Sequence, residues 1–391
     1  MSRILPNDAL QRITPQKRRA KTKTGETIQF VREVGNVYLF NKGKNGYILP
    51  ADDSAIPLLG ECDNGDFTLD LPPALEDWLA DYDKEIDIQS RLDKDEIPIA
   101  TDREAIPVLV KTRWAQGSPF NDRLVLDGTK CIVGCCAVAI GQVMYYWGTK
   151  GYHRGCTATQ AYTTATNKYK VGALDNITVF DYKNLTQKSP TANSSIKAVS
   201  TLLEYIGKSL KSNYGVTNTT SNATNMVTAL KNSLRMGSKV RQKLCSTDSI
   251  GFEKAVYDEL SKGCPVLMGG SHSKGGHMFV CDGYDAKNDK YHFNWGWGGS
   301  CDGYYAMTAL NPKEGKSYNS GKVAIIGILP EYKLGDVNGD GNIDISDVTA
   351  VASAVLNDRY TDRADVNSDG SVTIEDATLI SNHIIGKGKK L

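Results

Sequence analysis

Cys135 and Cys136 stand between a glycine and a long apolar stretch in CIVGCCAVAIGQVMYYW, and the pattern predicts a helix that begins at the cysteine pair. A thiol at a helix N-terminus gains from the dipole and from free backbone N–H groups, which favour thiolate and therefore nucleophilic attack. Two other readings stay open on the residues alone. Both thiols could be packing groups, since free cysteines are common in cores. A zinc cluster of Cys131, Cys135, Cys136, His153 and Cys156 is the other, although adjacent helical residues project about 100° apart and seldom share one ion.

A nucleophilic thiol also needs an imidazole within hydrogen-bond reach and a third group to orient that ring, and both can lie far away in sequence. Five histidines compete. His277, in GGHMFVCDGY, opens a strand-like run after a glycine-rich loop, and HFNWGWGG follows about one hairpin later, so an adjacent strand would bring Asn294 beside it. His272 lies in the glycine- and serine-rich loop and is read as a loop residue near the cleft. The segment GWGWGGSCDGYY reads equally as a mobile loop lining a pocket or as a tight turn with packed tryptophans.

A second chemistry is written at the C-terminus, where DVNGDGNIDISD and DVNSDGSVTIED repeat with an offset of 29 residues. Asp336, Asn338, Asp340, Asn342, Asp344 and Asp347 occupy positions 1, 3, 5, 7, 9 and 12 of a loop, with Gly341 at position 6. Asp365, Asn367, Asp369, Ser371, Thr373 and Asp376 repeat the arrangement around Gly370. Oxygen donors at this spacing wrap a hard cation, and the carboxylate at position 12 closes the cage, so two Ca2+ ions are expected. An apolar helix follows each loop and none precedes the first, which makes these half EF-hands.

These sites need elements to hold them. VYLF and GYILP flank the turn-former cluster NKGKN and predict a hairpin; Leu75, Trp78, Leu79, Tyr82 and Ile86 then recur at helical spacing. Residues 88–105 are charged and aperiodic, as a linker open to proteolysis would be. The next segment places helical patterns (AVAIGQVMYYW, SSIKAVSTLLEYIGKSL, FEKAVYDELSKG) before strand-like runs (PVLMGG, HMFVCDGY, YHFNWGW, GKVAIIGIL), which argues for an α+β domain. The expected division is 1–105, 106–332 and 333–391.

Composition excludes several classes. With 46 Lys+Arg against 45 Asp+Glu, nothing draws the whole chain to nucleic acid or anionic membrane. No stretch is apolar for long enough to cross a bilayer, and residues 1–20 lack the apolar run of a signal peptide, so either the chain is cytoplasmic or its export signal has been trimmed from this numbering. Nine cysteines, an odd and sparse set, leave at least one free thiol.

Four stretches, TRWAQGSPFN, GCCAVAIGQVMYYW, GGHMFVCDGYD and HFNWGWGG, in this order, resemble the streptopain-like cysteine peptidases, a papain-type fold, over roughly residues 106–330. The resemblance implies Cys135 as nucleophile, His277 as general base and then acid, Asn294 as ring-orienting amide and Trp295 as a cover over that pair. It also implies Gln116 as an oxyanion donor alongside the backbone N–H of Cys135. Cys136 stands where the family usually has a small apolar residue, and DRLVLDGTKCIVG differs from the Cys-Pro stretch of its relatives. The segment VYLFNKGKNGYILPADDSAIPLLGECDNGDF is similar to the streptopain propeptide, which implies an inhibitory prodomain. Residues 335–387 resemble a type I dockerin, which implies calcium-dependent folding and a cohesin, or another face of this chain, as partner. Ile345-Ser346 and Ile374-Glu375 replace the Ser-Thr pair that many dockerins use toward cohesin.

The expected fold is therefore α+β: a papain-like cysteine protease domain preceded by a small α+β prodomain and followed by a small all-α calcium-binding dockerin-like domain. The expected function is that of a secreted cysteine endopeptidase zymogen, extracellular or at the cell surface, acting on proteins or peptides with no cofactor for catalysis. The competing function is a non-catalytic adhesin or scaffold component anchored by the dockerin-like module.

Overall fold

The computed structural model of the chain describes Ala9 and residues 28–43, 46–51, 58–62, 67–89, 103–245, 249–272, 275–307, 322–330, 334–339, 342–360, 363–367 and 369–387. In chain order the N-terminal part supplies strands β1 (Ile28–Val34), β2 (Val37–Lys42), β3 (Tyr47–Pro50) and β4 (Leu58–Cys62), then helix α1 (Pro73–Gln89). The middle part begins with the short pairs β5 (Val125–Leu126) and β6 (Thr129–Lys130), helix α2 (Cys135–Thr149), and the short pair β7 (Tyr162–Thr163) and β8 (Lys170–Val171). Helices α3 (Asn193–Ser209) and α4 (Ala223–Thr228), strand β9 (Arg241–Leu244) and helix α5 (Ser249–Ser261) follow. The sheet is completed by β10 (Val266–His272), β11 (Gly275–Asp285), β12 (Lys290–Asn294), β13 (Gly303–Tyr305) and β14 (Val323–Ile326), and the C-terminal module holds helices α6 (Ile345–Leu356) and α7 (Ile374–Ile384).

The N-terminal strands are not a sheet of their own. A single antiparallel sheet of ten strands runs β1-β2-β3-β4-β13-β12-β11-β10-β14-β9. The joint between its halves is β4 against β13, with Tyr304 opposite Glu61 and Tyr305 opposite Gly60. A side chain at Gly60 would put its Cβ 2.8 Å from the Tyr304 carbonyl oxygen, so the joint needs glycine there. The expected small α+β prodomain is thus one end of a shared sheet.

Both faces of the central strands are covered, which explains their unbroken apolar sequences. Leu267, Val280 and Ile325 point into one core with α2 and α3, while Val266, Met268, Phe279, Cys281, Ala324 and Ile326 point into the other with α1 and α5. Helix α1 buries the predicted stripe, Leu75, Trp78, Leu79, Tyr82 and Ile86, each at most 4% exposed, and each such side chain contributes about 1.5–3 kcal/mol. Helix α2 is buried over most of its length, and at Gly141 an added Cβ would lie 2.7 Å from Leu203 Cδ2 on α3, which is how closely the two helices approach.

The predicted linker ends earlier than residue 105. Arg103 already pairs with Glu253 on α5 at 2.6 Å, and Ile106 bridges to Tyr284 of β11. Residues 90–102, the middle of that linker, lie outside the described residues.

Candidate active site

Gly134 caps α2 with φ 87°, and Cys135 is the first residue of the helix, as the sequence pattern predicts. The Cys135 thiol is held well below its ordinary pKa by a hydrogen bond from Cys136 first, then by the charge and ring of His277 and a backbone hydrogen bond at Met278, against the opposing effect of burial. Cys136 is pushed up in turn, by that same hydrogen bond and by burial, and so stays the proton donor of the pair. The second cysteine, which the sequence reading left without a role, supports the first. All nine cysteines are thiols.

His277 reaches this thiol from β11. Its Nε2 lies 2.9 Å from the backbone carbonyl oxygen of Trp295, and because a carbonyl can only accept, Nε2 carries the proton and Nδ1 is left for the thiol. Such a ring can take the thiol proton and return it to a leaving group. Trp297 packs on the ring at 4.8 Å between centroids, while Trp295 is 6.3 Å away and stacks against Trp297 at 5.2 Å. Trp297 is thus the nearer indole to the ring, with Trp295 stacked behind it and reaching His277 through its main-chain carbonyl.

Asn294 is not brought to His277. Its side-chain N–H donates to the Thr112 carbonyl at 2.7 Å and its side-chain oxygen accepts from the Gly296 N–H at 3.1 Å. The register explains this: Asn294 faces Val280, three residues short of His277, so the ring lies beyond the end of β12 where the chain turns. Asn294 braces that turn. Gln116 lies half-buried in the loop before α2, and its backbone carbonyl accepts from the Val133 N–H, which ties this loop to the approach to Cys135. His272 belongs to the end of β10, opposite Gly275, rather than to a loop.

The segment from Trp295 to Cys301 is the packed turn of the two alternatives. Asp302 accepts from the Trp295 N–H at 2.8 Å and so anchors the residue whose carbonyl, in the next peptide unit, holds His277. Loss of hydration raises Asp302 to about 7. Next to it, His292 pairs with Asp282 at 2.7 Å; burial alone would lower this histidine, and the two carboxylates outweigh it and raise it. A cavity of about 650 Å³ opens on this side, lined by Arg113, His292 and Asp302 and, from the N-terminal part, by Lys42, Glu61 and Cys62.

The N-terminal part supports the same site from below. Trp78 of α1 packs against Phe279, Phe293 and Trp295 at 5.1–6.2 Å. Glu85 of the same helix meets Lys322 at 3.1 Å with both side chains no more than 2% exposed.

In the C-terminal module each loop runs into its helix through a capping box, Asp344 with Asp347 and Thr373 with Asp376. Asp336, Asp347 and Asp376 are fully buried and Asp365 is 4% exposed. Asp347 accepts from the N–H groups of Asn338 and Asp344, and Asp376 from those of Val366, Asn367 and Thr373. Two buried carboxylates per loop, with Asn338 and Asn342 or Asn367, Asp369 and Ser371 around them, suit a hard divalent cation, which favours oxygen donors. Among the described residues no group of three His, Cys, Asp or Glu forms a metal cluster; Asp340 lies outside them. Ile345 and Ile374, the position-10 residues, are 70% and 69% exposed.

A thiol activated at a helix N-terminus beside an imidazole with a fixed tautomer is the equipment of a cysteine hydrolase. Residues 114–305 match the Peptidase C10 family and residues 334–385 the dockerin type I domain. Streptopain of Streptococcus pyogenes is 26% identical over 325 residues, covering 75% of this chain and 81% of its own. The thiol protease/hemagglutinin PrtT of Porphyromonas gingivalis is 28% identical over 335 residues, covering 76% of this chain and 37% of its own. A prointerpain A fragment of Prevotella intermedia shares the fold with a TM-score of 0.67 at 22% identity, covering 79% of this chain and all of that fragment. The chain carries a Peptidase C10 domain followed by a type I dockerin domain, and it is a cysteine peptidase. Among the described residues, no helix is long and apolar enough to cross a membrane.

Proposed function

We propose that the chain is a secreted endopeptidase zymogen in which Cys135 attacks the peptide carbonyl and His277 manages the proton. The thiolate forms the acyl-enzyme, His277 protonates the departing amine through Nδ1, and water then releases the acyl group. The observation that carries this reading is the Trp295 carbonyl on Nε2 of His277, which leaves Nδ1 for a thiol that its neighbours already favour as thiolate. The backbone N–H of Cys135 and the side chain of Gln116 are the oxyanion donors in this reading, and Trp297 shields the ring.

In the same reading residues 1 to about 102 form the inhibitory prodomain, the peptidase domain begins near Arg103, and the module from 333 onward binds two calcium ions. The ion's part is to fold the module; catalysis draws on protein groups alone. The exposed isoleucines at position 10 of each loop suit an apolar patch on a cohesin.

Intact-mass analysis under reducing conditions tests the proposal, with wild type beside Cys135→Ala and a casein digest in parallel. Wild type should lose about its first hundred residues and then cleave casein, while Cys135→Ala does neither. If wild type stays whole and remains inert after trypsin has cut the linker, the peptidase role of Cys135 and His277 fails.

A further inference from the structure

We propose that Arg154 of the peptidase domain is a positioning residue for the first cation loop of the C-terminal module, so that calcium binding and docking of the module on the peptidase reinforce one another. The inference rests on the reading that the loop binds calcium.

Arg154 follows α2, at the end opposite Cys135, and is only 5% exposed. Its guanidinium donates to the Gly339 carbonyl, at loop position 4, and lies 3.7 Å from Oδ2 of Asp336, the position-1 carboxylate. A return contact crosses the same boundary. Arg363, 6% exposed and just ahead of the second loop, donates to the Gly151 carbonyl and lies over the Tyr152 ring at 4.4 Å. The two backbones nearly touch between these arginines, since an added Cβ at Gly339 would be 2.7 Å from the Gly151 oxygen and 3.2 Å from the His153 nitrogen. Residues 151–154 thus meet 336–339 and 363 across a buried surface.

Charge explains why an arginine stands at the first loop. Its ligand positions carry four carboxylates, Asp336, Asp340, Asp344 and Asp347, against three, Asp365, Asp369 and Asp376, in the second. A divalent ion leaves the first loop one charge more negative than the second, and Arg154 removes that difference. Because the guanidinium holds the side of Asp336 at Oδ2, it orients the carboxylate without replacing the ion, as a neighbouring donor does for a metal ligand. Arg154 contacts the Gly339 carbonyl and Asp336 together in this arrangement of the loop, so it favours the arrangement that presents both. By linkage, whatever closes the loop strengthens docking, and docking tightens the loop.

The test uses the full chain with Cys135→Ala, which cannot cleave itself, titrated with calcium by calorimetry. Two ions should bind, and Arg154→Gln should weaken one site about tenfold while the other is unchanged. Arg363→Gln, which leaves every ligand of the first loop in place, should weaken that same site. Hydrogen exchange supplies the second readout: the amides of residues 151–155 should exchange more slowly in calcium than in EGTA, and Arg363→Gln should abolish the difference. An isotherm unchanged or tightened by Arg154→Gln, or exchange at 151–155 that ignores calcium, overturns the coupling. A parent chain that binds no calcium overturns the calcium reading and the coupling with it.

Discussion

The ion pair between Glu85 and Lys322 fastens the N-terminal helix to the peptidase, and its removal is the sharpest probe of that attachment. Both groups are within 2% of full burial and 3.1 Å apart. The ammonium also donates to the Met307 carbonyl at 3.2 Å and lies 4.5 Å from the Trp78 ring. Glu85→Gln leaves the ammonium buried without its counter-charge, and breaking a buried pair from one side costs about 3–5 kcal/mol. That corresponds to between about a hundredfold and a few thousandfold in the equilibrium that holds α1 on the sheet. Lys322→Met strands the carboxylate and should cost a similar amount. The double variant should recover most of the loss, because an apolar and amide pair of similar volume has no charge to leave unpaired. Urea titration of the Cys135→Ala chain, followed by tryptophan fluorescence, reads this directly, since Trp78 lies against the pair. Single variants that each cost under about 1 kcal/mol, or a double variant as unstable as the two losses combined, would refute the reasoning.

Two further outcomes follow from the site. Asp302 keeps a proton up to about pH 7 in the folded chain and loses it near its ordinary value, about 3.9, when unfolded; stability therefore falls as pH rises through that interval. His292, raised by Asp282 and Asp302, contributes in the same direction, because its extra stability is lost as pH rises through its folded value. Asp302→Asn should flatten the fall in melting temperature between pH 5 and 7 measured by calorimetry, leaving only the His292 part. Cys136→Ala removes the hydrogen bond that most favours the Cys135 thiolate, so the pH profile of alkylation by iodoacetamide should move to higher pH while the fold, read by circular dichroism, stays.

The parts of the site that side chains write into the sequence were legible, and those written by the backbone were not. Cys135 and the α1 stripe could be read because helical periodicity and a preceding glycine are local signals. The duplicated C-terminal loops could be read because the spacing of their oxygen-bearing side chains is fixed by a single turn. The Trp295 carbonyl could not, since every residue has one and only the end of β12 sets its direction. Asn294 was misplaced for the same reason: adjacency in a hairpin does not give register, and a shift of three residues carries it from His277 to Val280. Strand β1, IQFVREV, carries charged residues and is largely exposed, so it lacks the short unbroken apolar run, flanking a turn cluster, by which β2 and β3 were found. Trp297 could have been inferred from its place two residues from Trp295, had the turn been known to fold back on the ring.

In the proposed prodomain reading, the junction of β4 with β13 makes cutting the linker and freeing the peptidase separate events. A nick near residue 100 breaks one covalent bond, but the hydrogen bonds at Tyr304 and Tyr305 and the Trp78 contacts hold the fragments together as a non-covalent complex until the strands peel apart. Once they do, β13 becomes the margin of a six-stranded sheet and its outward N–H and C=O groups face water. A margin only three residues long offers too little template to recruit a second chain, so the freed enzyme is guarded against edge-to-edge aggregation by the brevity of the strand it exposes.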